Sequence, residues 1–213
     1  MYVPKHFEET RVEVLHELMR AHPLSALVTG SAAGFDANHL PLVVHAEPEP
    51  YGTLRGHISR ANPFWRELTA ELPALAIFQG PESFITPSWY PTKRETGKVV
   101  PTWNSVVVHA HGVLRAMDDR VWLRAHLEEL THQHEGPRAL PWMLTDAPAD
   151  YIEQMMNAIV GFELRIERLV GKWKVSQNRS AADRTGVIDG LSQEGGEAAA
   201  VMAKLVDRTN HDA

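Results

Sequence analysis

The chain has 213 residues, of which 44% are hydrophobic and 23% charged, enough to bury a full core in one globular unit. A formal net charge of -6 argues against a surface that coats nucleic acid, and zero cysteine excludes disulfides, thiolate metal sites and a cysteine nucleophile. There is no apolar signal core after Met1-Tyr2-Val3-Pro4-Lys5 and no apolar run near the ~18 residues of a membrane span, so a cytoplasmic protein without membrane contact is expected.

In chain order, Val12, Leu15, Leu18 and Met19 recur at helical spacing and predict an amphipathic helix over 8–21, stopped by Pro23. Short β-prone stretches follow at 24–29, 38–45 and 54–58, divided by a turn-rich segment at 30–36 and by Glu47-Pro48-Glu49-Pro50. Asn62 is a good N-cap and Pro63 suits a first helical position, which predicts a short helix through 71 with Phe64, Trp65 and Leu68 on its apolar face. Strands resume at 75–78, 83–86 and 99–113, where Val106 and Val108 alternate with Val107, His109 and His111. The second half predicts helices over 118–131 and 151–159, then a strand from 162 toward Trp173. Residues 1–192 read as one domain with helical additions, and 193–213 as a tail whose Ala-rich helix is loosely joined behind Gly195-Gly196.

Two loops are unusually rich in proline and aromatic residues: Pro87-Ser88-Trp89-Tyr90-Pro91 and Val100-Pro101-Thr102-Trp103-Asn104. Proline presents its neighbours from a stiff backbone, and Trp and Tyr offer planar surface with a polar tip, which suits a flat heteroaromatic ligand as well as it suits a buried cluster. The segment 55–62, with His57, Ser59, Arg60 and Asn62, ends a strand just before a helix start. Backbone N–H groups, a guanidinium and a hydroxyl there make an anion site, although Ser and Asn also serve as ordinary caps. Residues 171–179 gather Lys172, Trp173, Lys174, Ser176, Gln177, Asn178 and Arg179 in a stretch where 160–185 holds six basic and three acidic residues. That pattern reads as phosphate or ring recognition, or as a solvated basic face.

His109-Ala110-His111 and His132-Gln133-His134-Glu135 invite a metal reading, but neither has the His-Glu-x-x-His spacing of zinc hydrolases, and no metal is expected. No Gly-x-Ser-x-Gly elbow, Walker loop or Gly-x-Gly-x-x-Gly occurs, so no catalytic residue is assigned.

The order of Met1-Tyr2-Val3-Pro4-Lys5-His6-Phe7, Asn38-His39-Leu40-Pro41, Gly56-His57, Asn62-Pro63, Phe78-Gln79-Gly80-Pro81, Thr86-Pro87-Ser88-Trp89-Tyr90-Pro91, Val100-Pro101-Thr102-Trp103-Asn104 and the 171–179 motif closely resembles the PaiB family of FMN-binding negative transcriptional regulators. The match runs from Met1 to about Leu191 and stops before the tail. The resemblance implies an α+β, mainly β fold: an antiparallel split β-barrel with flanking helices, related to pyridoxamine-phosphate oxidases, paired as a homodimer with FMN at the subunit interface.

By that similarity the FMN phosphate falls on His57, Ser59, Arg60 and Asn62, and the isoalloxazine ring is bordered by Ser88, Trp89, Tyr90, Trp103 and Asn104. Lys172, Lys174, Ser176 and Gln177 are assigned to cofactor or interface contact. Related oxidases carry Arg-Lys after the Ser, whereas Ala61 follows Arg60 here. The reading is a flavin- or redox-sensing regulator. The alternatives are an FMN-dependent oxidoreductase or flavin reductase, and a haem-handling relative. Direct DNA binding finds no helix-turn-helix signature. An apolar patch of Trp89, Tyr90, Trp103 and Val107 is expected to drive the two-fold pairing.

Overall fold

Leu54, Gly56 and Ile58 are buried while Arg55, His57 and Ser59 are not, the alternation of a strand with one face on a core. In the computed structural model, which describes residues 1–31, 34–69 and 71–209, this strand belongs to an eight-stranded sheet. The elements in chain order are β1 (Glu8–Glu9), α1 (Val12–Ala21), β2 (Leu24–Ser31), β3 (Gly34–Pro41), β4 (Val43–His45), β5 (Thr53–Ser59), β6 (Leu72–Ile85), α2 (Thr92–Thr96) and β7 (Thr102–Met117). They continue with α3 (Arg120–Glu135), α4 (Ala149–Asn157), β8 (Ile159–Lys174), α5 (Ala181–Glu194) and α6 (Glu197–Arg208). Seven strands run in the order β3-β2-β6-β7-β8-β5-β4, and β1 pairs with β8. No helix among the described residues is long and apolar enough to cross a membrane.

The chain divides into two compact units, one of residues 19–78 and 110–169, the other of 1–18, 79–109 and 170–213. The first, the barrel unit, holds β2 to β5 and parts of β6, β7 and β8. β2 pairs antiparallel with β3 from Leu24↔Pro41 to Ser31↔Gly34, and β5 pairs with β8 from Thr53↔Arg165 to Ser59↔Ile159. β3 and β4 end the strand order at opposite sides, yet a single residue, Leu42, separates them in the chain. The sheet is therefore split rather than closed at that seam, and Leu42 crosses it fully buried, its N–H donating to Pro23 O at 3.0 Å. Asp119 caps α3, its carboxylate accepting from Trp122 N at 2.7 Å, and α3 and α4 share a satellite core of Leu123, Leu144, Ile152 and Met156. The split-barrel architecture agrees with the expectation.

The second unit packs Ile85, Tyr90, Val106, Val175, Val187, Leu191, Met202 and Val206 into its own core. Its α5 was not foreseen, because Gly186 and Gly190 lower helix propensity. Both glycines are needed for packing: a Cβ on Gly190 would lie 2.3 Å from the Trp89 ring, and one on Gly186 2.0 Å from the Trp89 carbonyl oxygen. The tail helix also differs from expectation. α6 buries Ala199, Met202, Ala203 and Val206 in this core, and each large side chain so buried contributes roughly 1.5–3 kcal/mol. Residues 210–213 of the tail lie outside the described residues, as do Ala32 and Ala33 of the expected 30–36 turn and Ala70 of the expected helix. That helix is a 3-10 segment, Pro63–Thr69. The two strands read at 75–78 and 83–86 are parts of one strand, β6.

Candidate functional site

Of the expected phosphate ligands, all four belong to the barrel unit. Ser59 ends β5, and its hydroxyl oxygen accepts from Ala61 N at 3.2 Å, shaping the turn that follows. Arg60 is anchored by its backbone, N–H to Ala158 O at 2.8 Å, while its carbonyl accepts from Trp65 Nε1 at 2.7 Å. The guanidinium lies 5.7 Å from the Trp65 ring centre and pairs with the exposed Asp118. Asn62 is fully used: its Oδ1 accepts from Phe64 N at 3.0 Å as a cap, and its Nδ2 donates to Asn38 Oδ1 at 2.8 Å. Ser59 and Arg60 thus keep donors that reach solvent at a strand end, and Asn62 positions the turn.

His57 is placed differently. It points outward from β5 under α3, with Nδ1 3.2 Å from Nε2 of His126, and His126 stacks on Trp122 at 5.3 Å and 19°. Arg55, two residues earlier on the same face, lies 5.7 Å from the Trp122 ring and donates to Glu163 at 3.1 Å. Glu163 also accepts from Arg115 at 2.9 Å. Burial pushes His126 down to about 3, with the neighbouring His57, Arg55 and His45 adding to the effect, and burial lowers His57 as well. Both imidazoles are therefore neutral near pH 7. His126 escaped sequence reasoning, although its i,i+4 spacing from Trp122 on one helix face was a usable signal.

The other expected residues belong to the second unit, where Asn104, Lys174, Ser176 and Gln177 bond to amides, hydroxyls and backbone groups. Asn104 and Ser176, both buried, bond through Nδ2 to Oγ at 2.9 Å, and Ser176 holds a left-handed φ of 64°. Lys174 Nζ donates to Trp103 O at 2.6 Å and to Thr102 Oγ1. Its pKa is lowered, first by burial and then by the charges of Lys172 and Arg179. Gln177 is folded onto its own loop, accepting from Val175 N at 2.8 Å and donating to Trp173 O. Lys172 Nζ reaches Tyr2 O at 3.4 Å, and Ser88 Oγ accepts from Lys93 Nζ at 3.2 Å.

The aromatic loops divide in the same unit. Tyr90 is 2% exposed, with the Arg179 guanidinium 4.8 Å from its ring centre, and Trp89 lies half-buried on the two α5 glycines. Of the expected ring-bordering aromatics, only Trp103 is exposed, at 54%, with Phe84 edge-on at 5.9 Å. Of the apolar patch expected of Trp89, Tyr90, Trp103 and Val107, Trp103 is the exposed member, and the exposed ring beside it is Phe84. Among the described residues no three His, Asp or Glu side chains converge where a metal ion could sit.

Residues 1–168 match a family model described as "Putative FMN-binding domain". The chain is 32% identical over 207 residues to the Bacillus subtilis "Protease synthase and sporulation protein PAI 2", covering 97% of each protein. It is 34% identical over 242 residues to an uncharacterized protein of Emericella nidulans, covering 97% of this chain and 96% of that one. Among solved structures, a FAD and haem binding protein from Mycobacterium smegmatis superposes with a TM-score of 0.60 at 16% identity, over 78% of this chain and 73% of that one. The flavocytochrome Anf3 from Azotobacter vinelandii does so with a TM-score of 0.54 at 13% identity, over 81% and 72%. At those identities the likeness is one of fold.

Proposed function

This chain belongs to the PaiB family of FMN-binding domains, and on that premise we propose that it holds FMN, with the phosphate at the Ser59-Arg60-Ala61 turn, and senses flavin or redox state as a regulator. The observation that carries this reading is the Arg60 guanidinium, fixed at its backbone by two hydrogen bonds and set over Trp65, with the solvent-facing Asp118 as its counter-ion. A phosphate replaces a surface carboxylate there at small cost, since an exposed pair contributes only about 0–1 kcal/mol. Ser59 Oγ keeps its proton as a donor, and Asn62 holds the turn. His57, the fourth expected ligand, meets His126 through Nδ1, which leaves Nε2 for the phosphate. FMN, when bound, supplies a reversibly reducible ring; the chain supplies orientation and charge.

Within the second unit, Trp103 is the accessible ring among the expected aromatics. Asn104, Lys174, Ser176 and Gln177 act by fixing the Trp103 loop and the end of β8. The exposed, edge-on pair Trp103 and Phe84 is proposed as part of the face on which a second copy of the chain pairs. A charge of -6 gives no support to direct operator binding. The test is FMN titration by fluorescence quenching: Arg60→Ala is expected to weaken binding by about 1.5–3 kcal/mol. An unchanged dissociation constant moves the phosphate to another basic group.

A further inference from the structure

The cavity between the last turns of α3 and the segment 136–145 lies outside every residue assigned to flavin. It encloses about 420 Å³, within the range of small-molecule sites. Pro141, Trp142, Met143 and Leu144 form apolar walls, Thr131 and Thr145 bring hydroxyls, His132 brings an imidazole, and the carboxylates that line it are Glu128 and Glu135.

The cavity is built by its backbone. Gly136 N donates to His132 O at 2.8 Å, Arg138 N to Glu135 O at 2.8 Å and Trp142 N to Glu135 Oε2 at 3.1 Å. Met143 N donates to Asp146 Oδ2 at 2.8 Å, and the buried Leu144 anchors the segment in the α3–α4 core. Trp142 and Met143 are nevertheless 43% and 57% exposed. A preformed segment that holds an aromatic ring open to solvent spends little ordering entropy on a ligand.

Charge then selects the ligand. Both Glu135 oxygens are occupied, one by Arg138 Nε at 3.1 Å and the other by Trp142 N. Glu128 has Arg124 only at 4.0 Å, the outer limit of an ion pair, with both side chains partly exposed. A weakly compensated carboxylate beside an exposed indole favours a cation, which the ring face attracts as well. The same carboxylate repels an anion such as the FMN phosphate. We propose that this cavity binds a small monovalent organic cation with an aromatic body, Glu128 supplying the counter-charge and Trp142 the ring face.

The test is calorimetric titration of the full-length protein with meta-hydroxyphenyl-trimethylammonium and with its uncharged isostere, meta-tert-butylphenol. Saturable one-to-one binding is expected, with the cation preferred about threefold to tenfold. Glu128→Gln is expected to reduce that preference, leaving the share that the Trp142 ring contributes, and to leave binding of the phenol unchanged. Trp142→Leu is expected to weaken the cation about tenfold. Far-UV circular dichroism checks that both variants keep the fold, and FMN titration should give the wild-type constant in each. Absence of saturation at millimolar cation, equal affinity for the two probes, or a preference undiminished in Glu128→Gln overturns the proposal. None of these outcomes depends on whether the chain binds FMN.

Discussion

The polar residues around β5 and α3 and those around the C-terminal end of β8 are satisfied in opposite ways. Around β5 and α3 the partners are charged or titratable: Arg55 and Arg115 share Glu163, Arg60 holds Asp118, and His57 faces His126. Around β8 in the second unit they are neutral amides, hydroxyls and carbonyls, with Lys174 donating to a hydroxyl and a carbonyl. A charged network answers to pH and to an arriving anion, whereas a buried neutral one holds geometry and has no second state to adopt. The first region is thus suited to respond and the second to support.

The support role makes the largest prediction. Replacing Asn104 with Leu leaves the Ser176 hydroxyl buried without its amide, on a backbone already held at φ 64°. A loss of about 2–3 kcal/mol in unfolding free energy is expected by urea denaturation. Ser176→Gly is expected to cost less, because glycine relaxes the left-handed backbone while the hydroxyl is lost. A cost for Asn104→Leu below that of Ser176→Gly breaks the picture of a neutral scaffold.

The responsive role predicts a pH slope. His126 has a folded pKa of about 3 against an ordinary value of 6.5, so below pH 6.5 the unfolded chain takes up a proton that the folded chain refuses. The stabilisation is complete above the unfolded value and is lost as pH falls toward the folded one, at a limiting slope of about 1.4 kcal/mol per pH unit. His57 and His45, both also lowered by burial, act in the same direction. His126→Phe keeps a ring against Trp122 and removes the proton site. Its urea midpoint is expected to fall less than that of wild type between pH 7 and 4.5. An identical decline assigns the acid sensitivity to other groups.

Where local spacing decides structure, the sequence was legible: the alternation of β5 and the Asn62 cap can be read within a few residues, while the split barrel followed from the family resemblance. Where a residue's role depends on a distant partner, it was not. Asn104 and Ser176 lie 72 positions apart, and nothing near either announces the bond. Trp89 reads as a ring platform until Gly186 and Gly190 provide the flat helix face it rests on. The histidine pairs at 109/111 and 132/134 drew attention by adjacency, while the close pair, His57 and His126, is joined only by packing α3 over β5.

The smallest predicted effect separates the two uses of Arg60. Asp118 is largely exposed and its pair with Arg60 is solvent-screened, so Asp118→Asn is expected to change unfolding free energy by less than about 1 kcal/mol. Its effect on FMN has a definite sign. If the phosphate takes the guanidinium, the carboxylate is a competitor in the free protein and a repulsive neighbour in the complex, and removing its charge tightens binding by about twofold to fivefold. The gain shrinks with added salt, because both terms are electrostatic and exposed. Weaker FMN binding by Asp118→Asn instead makes Asp118 a positioning residue that aims Arg60, and the double variant with Arg60→Ala distinguishes the cases. A positioning residue has no effect once Arg60 is gone, so the two changes together then give the Arg60→Ala constant, whereas a repulsive carboxylate still weakens binding there and its removal tightens it.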